Sequence, residues 1–180
     1  MIDETITYLE MTSQDEVVPG RVASSRVELE EVLPGAVSMA RSTYARIGAP
    51  LAWEGRTEWS DAGWEGELAR PGIRAWLGLV NGAVAGLVEL EAETNGDVGI
   101  VVFGLVPEFV GMGFGGAFLT VATQLAWTLT SPTGVPTTRV WVQTSSRDHP
   151  HALSNYERRG FRVFGTDHRQ SPTHSAVDPP

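Results

Sequence analysis

The sequence predicts an α/β protein, a mixed β-sheet flanked by helices, and three observations carry that prediction. Two Asn-Gly pairs, Asn81-Gly82 and Asn95-Gly96, separate three apolar stretches at 74–80, 83–91 and 98–106. Asn-Gly supplies the positive-φ positions of a tight hairpin turn, so the three stretches read as an antiparallel meander. The third stretch stops at Pro107 and passes through a glycine-rich turn into an apolar stretch of helical character at 117–129. A further apolar stretch at 138–144 follows that helix and reads as a buried strand, parallel to the one before the glycines. Strands and helices in this order pack as helices against a sheet.

Element by element, residues 5–11 alternate and read as a first strand. Residues 12–26 are polar, contain Pro19-Gly20 and read as a loop. A short strand is expected at 27–33. Residues 35–47 suit a helix, with Val37, Ala40, Tyr44 and Ile47 near helical spacing and Gly48 to end it. The stretch 49–59 is an aromatic-rich loop. Ser60 is placed to cap a helix over 61–69, which Pro71-Gly72 stops. The meander follows, then a central helix over 113–130, a loop at 131–136 and the strand at 138–144. A helix over 152–159 and a last strand at 161–164 complete the domain. The expected domain spans 1–166, and 167–180, polar with three prolines, is expected to be a flexible tail.

Composition narrows the function classes. A chain of 180 residues with 42% hydrophobic content is one globular domain with a single core. It has no cysteine, so disulfides, a thiolate nucleophile and cysteine–zinc sites are excluded. The start of the chain is acidic, without the basic and apolar regions of a signal peptide, and no apolar run approaches the ~20 residues that span a bilayer. The expectation is a cytoplasmic protein with no membrane partner. A net charge of −9 argues against bulk nucleic-acid binding.

The turn carries the functional signal. In Pro107-Glu108-Phe109-Val110-Gly111-Met112-Gly113-Phe114-Gly115-Gly116, a strand, glycines and a helix N-terminus follow one another. The first N–H groups of a helix lack partners and the helix dipole adds positive charge there. Glycines let a phosphate approach without a Cβ in the way. A nucleotide P-loop is excluded because it needs a lysine, and all 13 basic residues here are arginines. Gly111, Gly113 and Gly116 satisfy the dinucleotide spacing, yet no Asp or Glu lies between Glu108 and Asp148 to hold a ribose. Too little chain remains for the other units of that fold.

The segment resembles the acetyl-CoA signature of the GCN5-related N-acetyltransferases, Gln/Arg-x-x-Gly-x-Gly/Ala after a strand ending in Val-x-Pro. Leu105, Val106 and Pro107 take the strand-end place, and Val110, Gly111, Met112, Gly113, Phe114 and Gly115 take the turn, with Gly116 behind it. A second segment, from His149 to Phe161, is similar to the family's C-terminal pattern Asn-x-x-Ala-x-x-x-Tyr-x-x-x-Gly-Phe, with Ala152, Tyr156, Gly160 and Phe161 in register. The likeness covers roughly 74–166. It departs at Val110, where the family usually has Gln or Arg, and at His149, where it usually has Asn near the pantetheine arm.

The resemblance implies the acyl-CoA N-acyltransferase fold, in which the strands beside the central helix splay and the pantetheine lies in the gap. It also implies acetyl-CoA or another acyl-CoA as donor, without a metal, and direct attack of an amine on the thioester. Leu105, Val106, the turn residues Val110 to Gly116 and His149 would then hold the cofactor. Tyr156 would face the sulfur as the acid that protonates the departing thiolate. Glu89, sharing a strand face with Glu91, is the first choice of general base, with His149 and His151 as others. The pair of histidines beside Asp148 also reads as metal ligands, though no third strong ligand accompanies it. Trp53, Arg56 and Trp59 read as core or as the wall of an acceptor pocket for a small-molecule or peptide amine. Arg139, Arg147, Arg158, Arg159 and Arg162 read as a solvated face or as contacts to CoA phosphates. A donor on an acyl carrier protein or aminoacyl-tRNA, a non-catalytic acyl-CoA sensor, and a homodimer all stay open.

Overall fold

The computed structural model describes residues 2–171 except Val22 and Glu54. Its strands are β1 (Ile2–Met11), β2 (Val27–Glu31), β3 (Ile73–Val80), β4 (Ala83–Ala92), β5 (Asp97–Leu105), β6 (Arg139–Ser145) and β7 (Arg162–Ser171). Its helices are α1 (Val37–Gly48), α2 (Asp61–Leu68), α3 (Phe114–Thr128) and α4 (Ala152–Arg158). All the strands join one sheet in the order β2-β3-β4-β5-β6-β1-β7. No helix among the described residues is long and apolar enough to cross a membrane.

The local signals act as expected. Asn81 and Gly82 both take positive φ, 51° and 79°, and join β3 to β4. Gly96 at φ 91° turns β4 into β5, and Asn95 Oδ1 accepts a hydrogen bond from Asp97 N–H at 2.9 Å. β3, β4 and β5 pair antiparallel, and β6 joins β5 parallel, from Asp97↔Arg139 to Ile100↔Val142. Ser60 caps α2, its hydroxyl accepting from Gly63 N–H at 3.2 Å.

Two placements differ from the sequence reading or go beyond it. β7 runs through Asp167–Ser171, which was expected to belong to the tail, pairing antiparallel with β1 from Ile2↔Ser171 to Ile6↔Asp167. An edge strand needs no apolar alternation when one neighbour takes its hydrogen bonds, and polar side chains add to the pairing: Tyr8 Oη donates to Asp167 at 3.0 Å, and Thr5 Oγ1 lies 3.1 Å from His168 Nδ1. The rest of the expected tail lies outside the described residues. The N-terminal strand β1 is inserted between β6 and β7, antiparallel to both, so the first and last strands of the described chain lie side by side.

Each face of the sheet has its own core. On one face α3 and α4 cover Leu9, Met11, Val88, Leu90, Val140 and their neighbours. On the other, α1 and α2 cover Ala75, Leu77, Leu87 and Val102. The glycines in the strands are seats for these helices. A Cβ on Gly78 or Gly86 would come within 2.8 Å or 2.6 Å of the Phe118 ring, and one on Gly104 would meet Ile47. Phe118 and Ile47 therefore lie directly on the backbone, which fixes α3 and α1 against the centre of the sheet.

Candidate active site

Parallel pairing of β5 and β6 ends at Ile100↔Val142, while β5 runs on to Leu105 and β6 to Ser145. The two strands part there, leaving the end of β5 with an edge that β6 does not cover. A register shift between Glu89↔Val102 and Leu90↔Ile100 makes Val101 an extra residue in β5 at the point of parting. Bulges of this kind bend a strand and re-aim its backbone groups.

After β5 the chain makes a 3₁₀ turn at Pro107–Phe109 and enters the glycines. Gly111 and Gly113 take φ of 78° and 86°, and no protein atom lies within 4 Å of the Cβ that either would carry. Gly113 is the N-cap of α3 and no side chain caps the helix there. The first amides of a 15-residue helix are thus left facing an open approach, a ready anion site. Within the turn, Val110 and Met112 are exposed, at 40% and 58%. Phe114 and Val106 have buried side chains, Phe114 packing edge-on against Phe109 at 5.7 Å. Phe114 can therefore offer a ligand only its backbone. The Val106 amide is donated to Ala85 O at 2.9 Å. Leu105 is half-buried and reaches to 3.9 Å from the open side of Gly115.

α4 lies against the start of α3, tied by Asn155 Nδ2 donating to Gly115 O at 3.2 Å. It presents Tyr156 to β5: the ring lies edge-on to Phe103 at 6.3 Å and to Phe161 at 6.0 Å. Tyr156 is 6% exposed, and burial, helped by the nearby Asp148 carboxylate, raises its pKa well above the ordinary 10.0. The phenol therefore keeps its proton at neutral pH. His149 lies at the mouth of the loop before α4, its Nδ1 accepting from His151 N–H at 3.3 Å.

On the opposite face, Glu89 is fully buried, and both of its oxygens are held by Arg56, Nη1 at 2.7 Å and Nη2 at 2.9 Å. Arg56 also reaches Glu67 at 3.4 Å, and its guanidinium lies 5.0 Å and 5.4 Å from the rings of Trp59 and Trp64. Burial raises the Glu89 pKa, with the Arg56 charge opposing it. Buried and bonded to Arg56 through both oxygens, Glu89 reads as a structural partner of Arg56; a general base here is an expectation from the sequence alone. Arg56 meets two carboxylates, Glu89 and Glu67; its contact with an acceptor is an expectation from the sequence alone. Trp59 packs edge-on to Trp64 at 6.1 Å, at the rim of the same core.

Trp53 is the exception among these aromatics. Its ring packs at a tilt against Tyr44, centroids 5.3 Å apart, and it sends Nε1–H to Asp148 Oδ1 at 3.2 Å. Asp148 is fixed from below by Thr144 Oγ1 and the Ser145 amide, both 2.9 Å from Oδ2. The Trp53–Asp148 bond thus links the α1–α2 loop to the loop before α4 across the parting of β5 and β6. Sequence reasoning weighed Asp148 only as a metal ligand; nothing local marks it as the link between two loops 95 residues apart.

The arginines also divide. Arg139 pairs with Glu10 and Asp97, and Arg162 with Glu10 and Glu16, so both belong to the sheet's surface. Arg158 and Arg159 instead line a cleft of about 530 Å³ with Gly113, Gly116, Asn155 and Arg21. Arg21, from the loop after β1, was not anticipated, because only the tertiary fold brings it there.

A mixed sheet whose central strands part beside an uncapped, glycine-turned helix has the architecture of the GCN5-related N-acetyltransferases, and this chain resembles that family in fold. It is similar to a GCN5-related N-acetyltransferase from Sphaerobacter thermophilus (TM-score 0.68, 16% identity, 98% of this chain and 54% of that one). A functionally unknown conserved protein from Staphylococcus epidermidis is also similar (TM-score 0.68, 15% identity, 93% of this chain and 60% of that one). An aminoglycoside acetyltransferase from an uncultured soil metagenomic sample matches along 99% of its own length and 86% of this chain, at TM-score 0.56 and 16% identity. The chain spans only 54% and 60% of the first two structures. No protein-family model matches the chain, and no curated protein matches it in sequence.

Proposed function

We propose that this protein is an N-acyltransferase that moves an acyl group, acetyl in the first instance, from acyl-CoA to an amine. The observation that carries the reading is the uncapped N-terminus of α3, turned by Gly111 and Gly113 and opening beside the place where β5 leaves β6. A pyrophosphate at those amides would direct the pantetheine along the uncovered edge of β5, towards Tyr156. The fold supports the reading, and Tyr156, protonated at neutral pH, stands against Phe103 of β5.

In this mechanism the amine nitrogen attacks the thioester carbonyl carbon. The C–N bond forms, and backbone N–H groups at the bulge in β5 stabilise the oxyanion. The C–S bond then breaks, its electron pair leaves with sulfur, and the Tyr156 hydroxyl gives the thiolate its proton. The surplus proton on nitrogen passes to water in the gap, from which the phenolate is reprotonated. Trp53 and Trp59 wall the acceptor side, the acceptor being a small-molecule or peptide amine. No covalent enzyme intermediate is formed, in keeping with a chain that has no cysteine.

The test is thermal-shift screening with acetyl-CoA, longer acyl-CoAs and CoA, followed by CoA-release assays with a panel of amines. Ligand that binds only the folded state raises its stability by RT ln(1 + [L]/Kd). Stabilisation by CoA compounds and acceptor-dependent CoA release are expected. No shift with any of them would point to a carrier-protein or aminoacyl-tRNA donor. Binding without turnover would point to a sensor.

A further inference from the structure

We infer that Arg21, Arg158 and Arg159 form a phosphomonoester subsite, separate from the glycine turn, that takes the ribose 3′-phosphate of CoA. The inference rests on the acyl-CoA reading above and adds a specificity element to it. It starts from an imbalance of charge. The protein carries 22 acidic residues against 13 arginines, a net charge of −9. Arg41, Arg46, Arg56, Arg70, Arg74, Arg139 and Arg162 each find a carboxylate within salt-bridge distance. Among the described residues no ion pair engages Arg21, Arg26, Arg147, Arg158, Arg159 or Arg169, and of these six, Arg21, Arg158 and Arg159 line one cleft of about 530 Å³. In a chain this acidic, three unpaired arginines converging on one cavity mark a place for a ligand anion. The volume is in the range of small-molecule sites.

The cluster is built rather than loose. The chain between β1 and β2 is strapped across α3 and α4: Val18 N–H donates to Arg159 O at 2.9 Å, and Gly20 N–H donates to Thr120 Oγ1 at 2.8 Å. Gly20 lies so close to α3 that a Cβ would come 2.6 Å from the Gly116 carbonyl carbon and 2.7 Å from Arg159 Nη1. Arg21 is the next residue, so its starting point is fixed at the rim of the cleft. Arg159 Nε is buried with no hydrogen-bond partner, a donor without an acceptor. Burial, followed by the neighbouring charge of Arg158, lowers the Arg159 pKa, as expected where like charges converge without an anion. The cleft also includes Gly113 and Gly116, so a ligand whose pyrophosphate sits on the α3 amides would place its next phosphate among the arginines. A phosphomonoester, with a second pKa near 6, is a dianion at neutral pH and suits three guanidinium groups better than a phosphodiester does. The arrangement also replaces the side-chain charge that Val110 does not provide.

Calorimetric titration with acetyl-CoA and with acetyl-3′-dephospho-CoA tests the subsite. Wild-type protein should prefer acetyl-CoA by roughly tenfold or more, since charge-assisted bonds to phosphate are strong but partly screened by solvent at a cleft. Arg21→Ala and Arg158→Ala should each cut that preference several-fold, and together cut it further, leaving only what Arg159 supplies, while affinity for the dephospho compound stays within about twofold. Circular dichroism checks that the variants fold. Arg159 is left in place because its guanidinium packs against Gly20 and Gly116, so its removal would disturb the strap itself. Equal wild-type affinity for the two ligands would overturn the subsite and leave the acyl-CoA reading standing. If neither ligand binds, both fall together.

Discussion

Tyr156, the proposed acid, is also a packed core side chain. Its ring is held between Phe103 of β5 and Phe161, so replacing it by Phe keeps the packing and removes only the hydroxyl. Tyr156→Phe should bind acyl-CoA as the wild type does and turn over ~10²-fold more slowly, the low end for lost acid catalysis because a thiolate leaves readily. Because the pKa lies above 10.0, the wild-type rate should show no loss attributable to this group as pH rises to that value. Steady-state kinetics beside calorimetry would check both, and an unchanged kcat removes Tyr156 from the mechanism. Gly113 calls for a different control. A side chain there meets no atom but must accept φ 86°, so Gly113→Val is strained at the backbone by about 1–3 kcal/mol whatever it does to ligand. Gly134 has φ 84°, equally open surroundings and a place in the loop between α3 and β6, away from the site. Gly113→Val should abolish CoA binding, while Gly134→Val should lose similar stability and bind CoA normally.

Among the elements, the join between the α1–α2 loop, α2 and β4 rests on charge. Glu89 is buried in mid-sheet, and Arg56 neutralises it from the loop while touching Glu67 of α2. Taking away one partner of such a pair strands the other, at a cost of about 3–5 kcal/mol. Arg56→Met should therefore destabilise the protein by that order, and in a pH-dependent way. Burial raises the Glu89 pKa above its ordinary 4.5, and loss of Arg56 raises it further. A carboxyl whose pKa is higher folded than unfolded contributes stability below the unfolded value, and this contribution is lost as pH climbs through the folded one. The deficit of Arg56→Met relative to wild type should be largest near pH 7 and shrink towards pH 4.5. Denaturant unfolding at several pH values measures it; a constant deficit would mean that Arg56 acts by packing against Trp59 and Trp64 alone.

Over the whole molecule, the decisive feature is the place of β1. By lying between β6 and β7 it supplies both with their backbone partners, and it buries Leu9 and Met11 under α3 and α4. Its exit leads directly into the strap that carries Arg21 to the cleft. Deleting residues 1–11 should leave β7 without β1, its one strand neighbour among the described residues, and expose an edge of β6. The truncated protein should lose its cooperative thermal transition and aggregate. A truncated form that melts as sharply as the full chain would show that the sheet closes without β1.

Much of this was legible in one dimension. Asn81-Gly82, Asn95-Gly96 and Ser60 act through backbone geometry that neighbouring residues alone determine, so the meander and α2 could be read directly. The same holds for the uncapped glycine turn before α3, because positive φ and free helix amides are local properties. Tyr156 and the turn could be paired from spacing. What no window of sequence contains is a contact between distant segments. Glu89 looked like one carboxylate on a strand face, and only the fold brings Arg56 to it across 33 residues. Asp167–Ser171 looked like a polar tail, and only pairing with β1 makes it a strand. Arg21 looked like one charge in a loop. Its place in one cleft with Gly113 and Arg158 depends on the insertion of β1 and on a glycine that lets the strap lie against α3, since long-range electrostatics and sheet order are set by the packed whole.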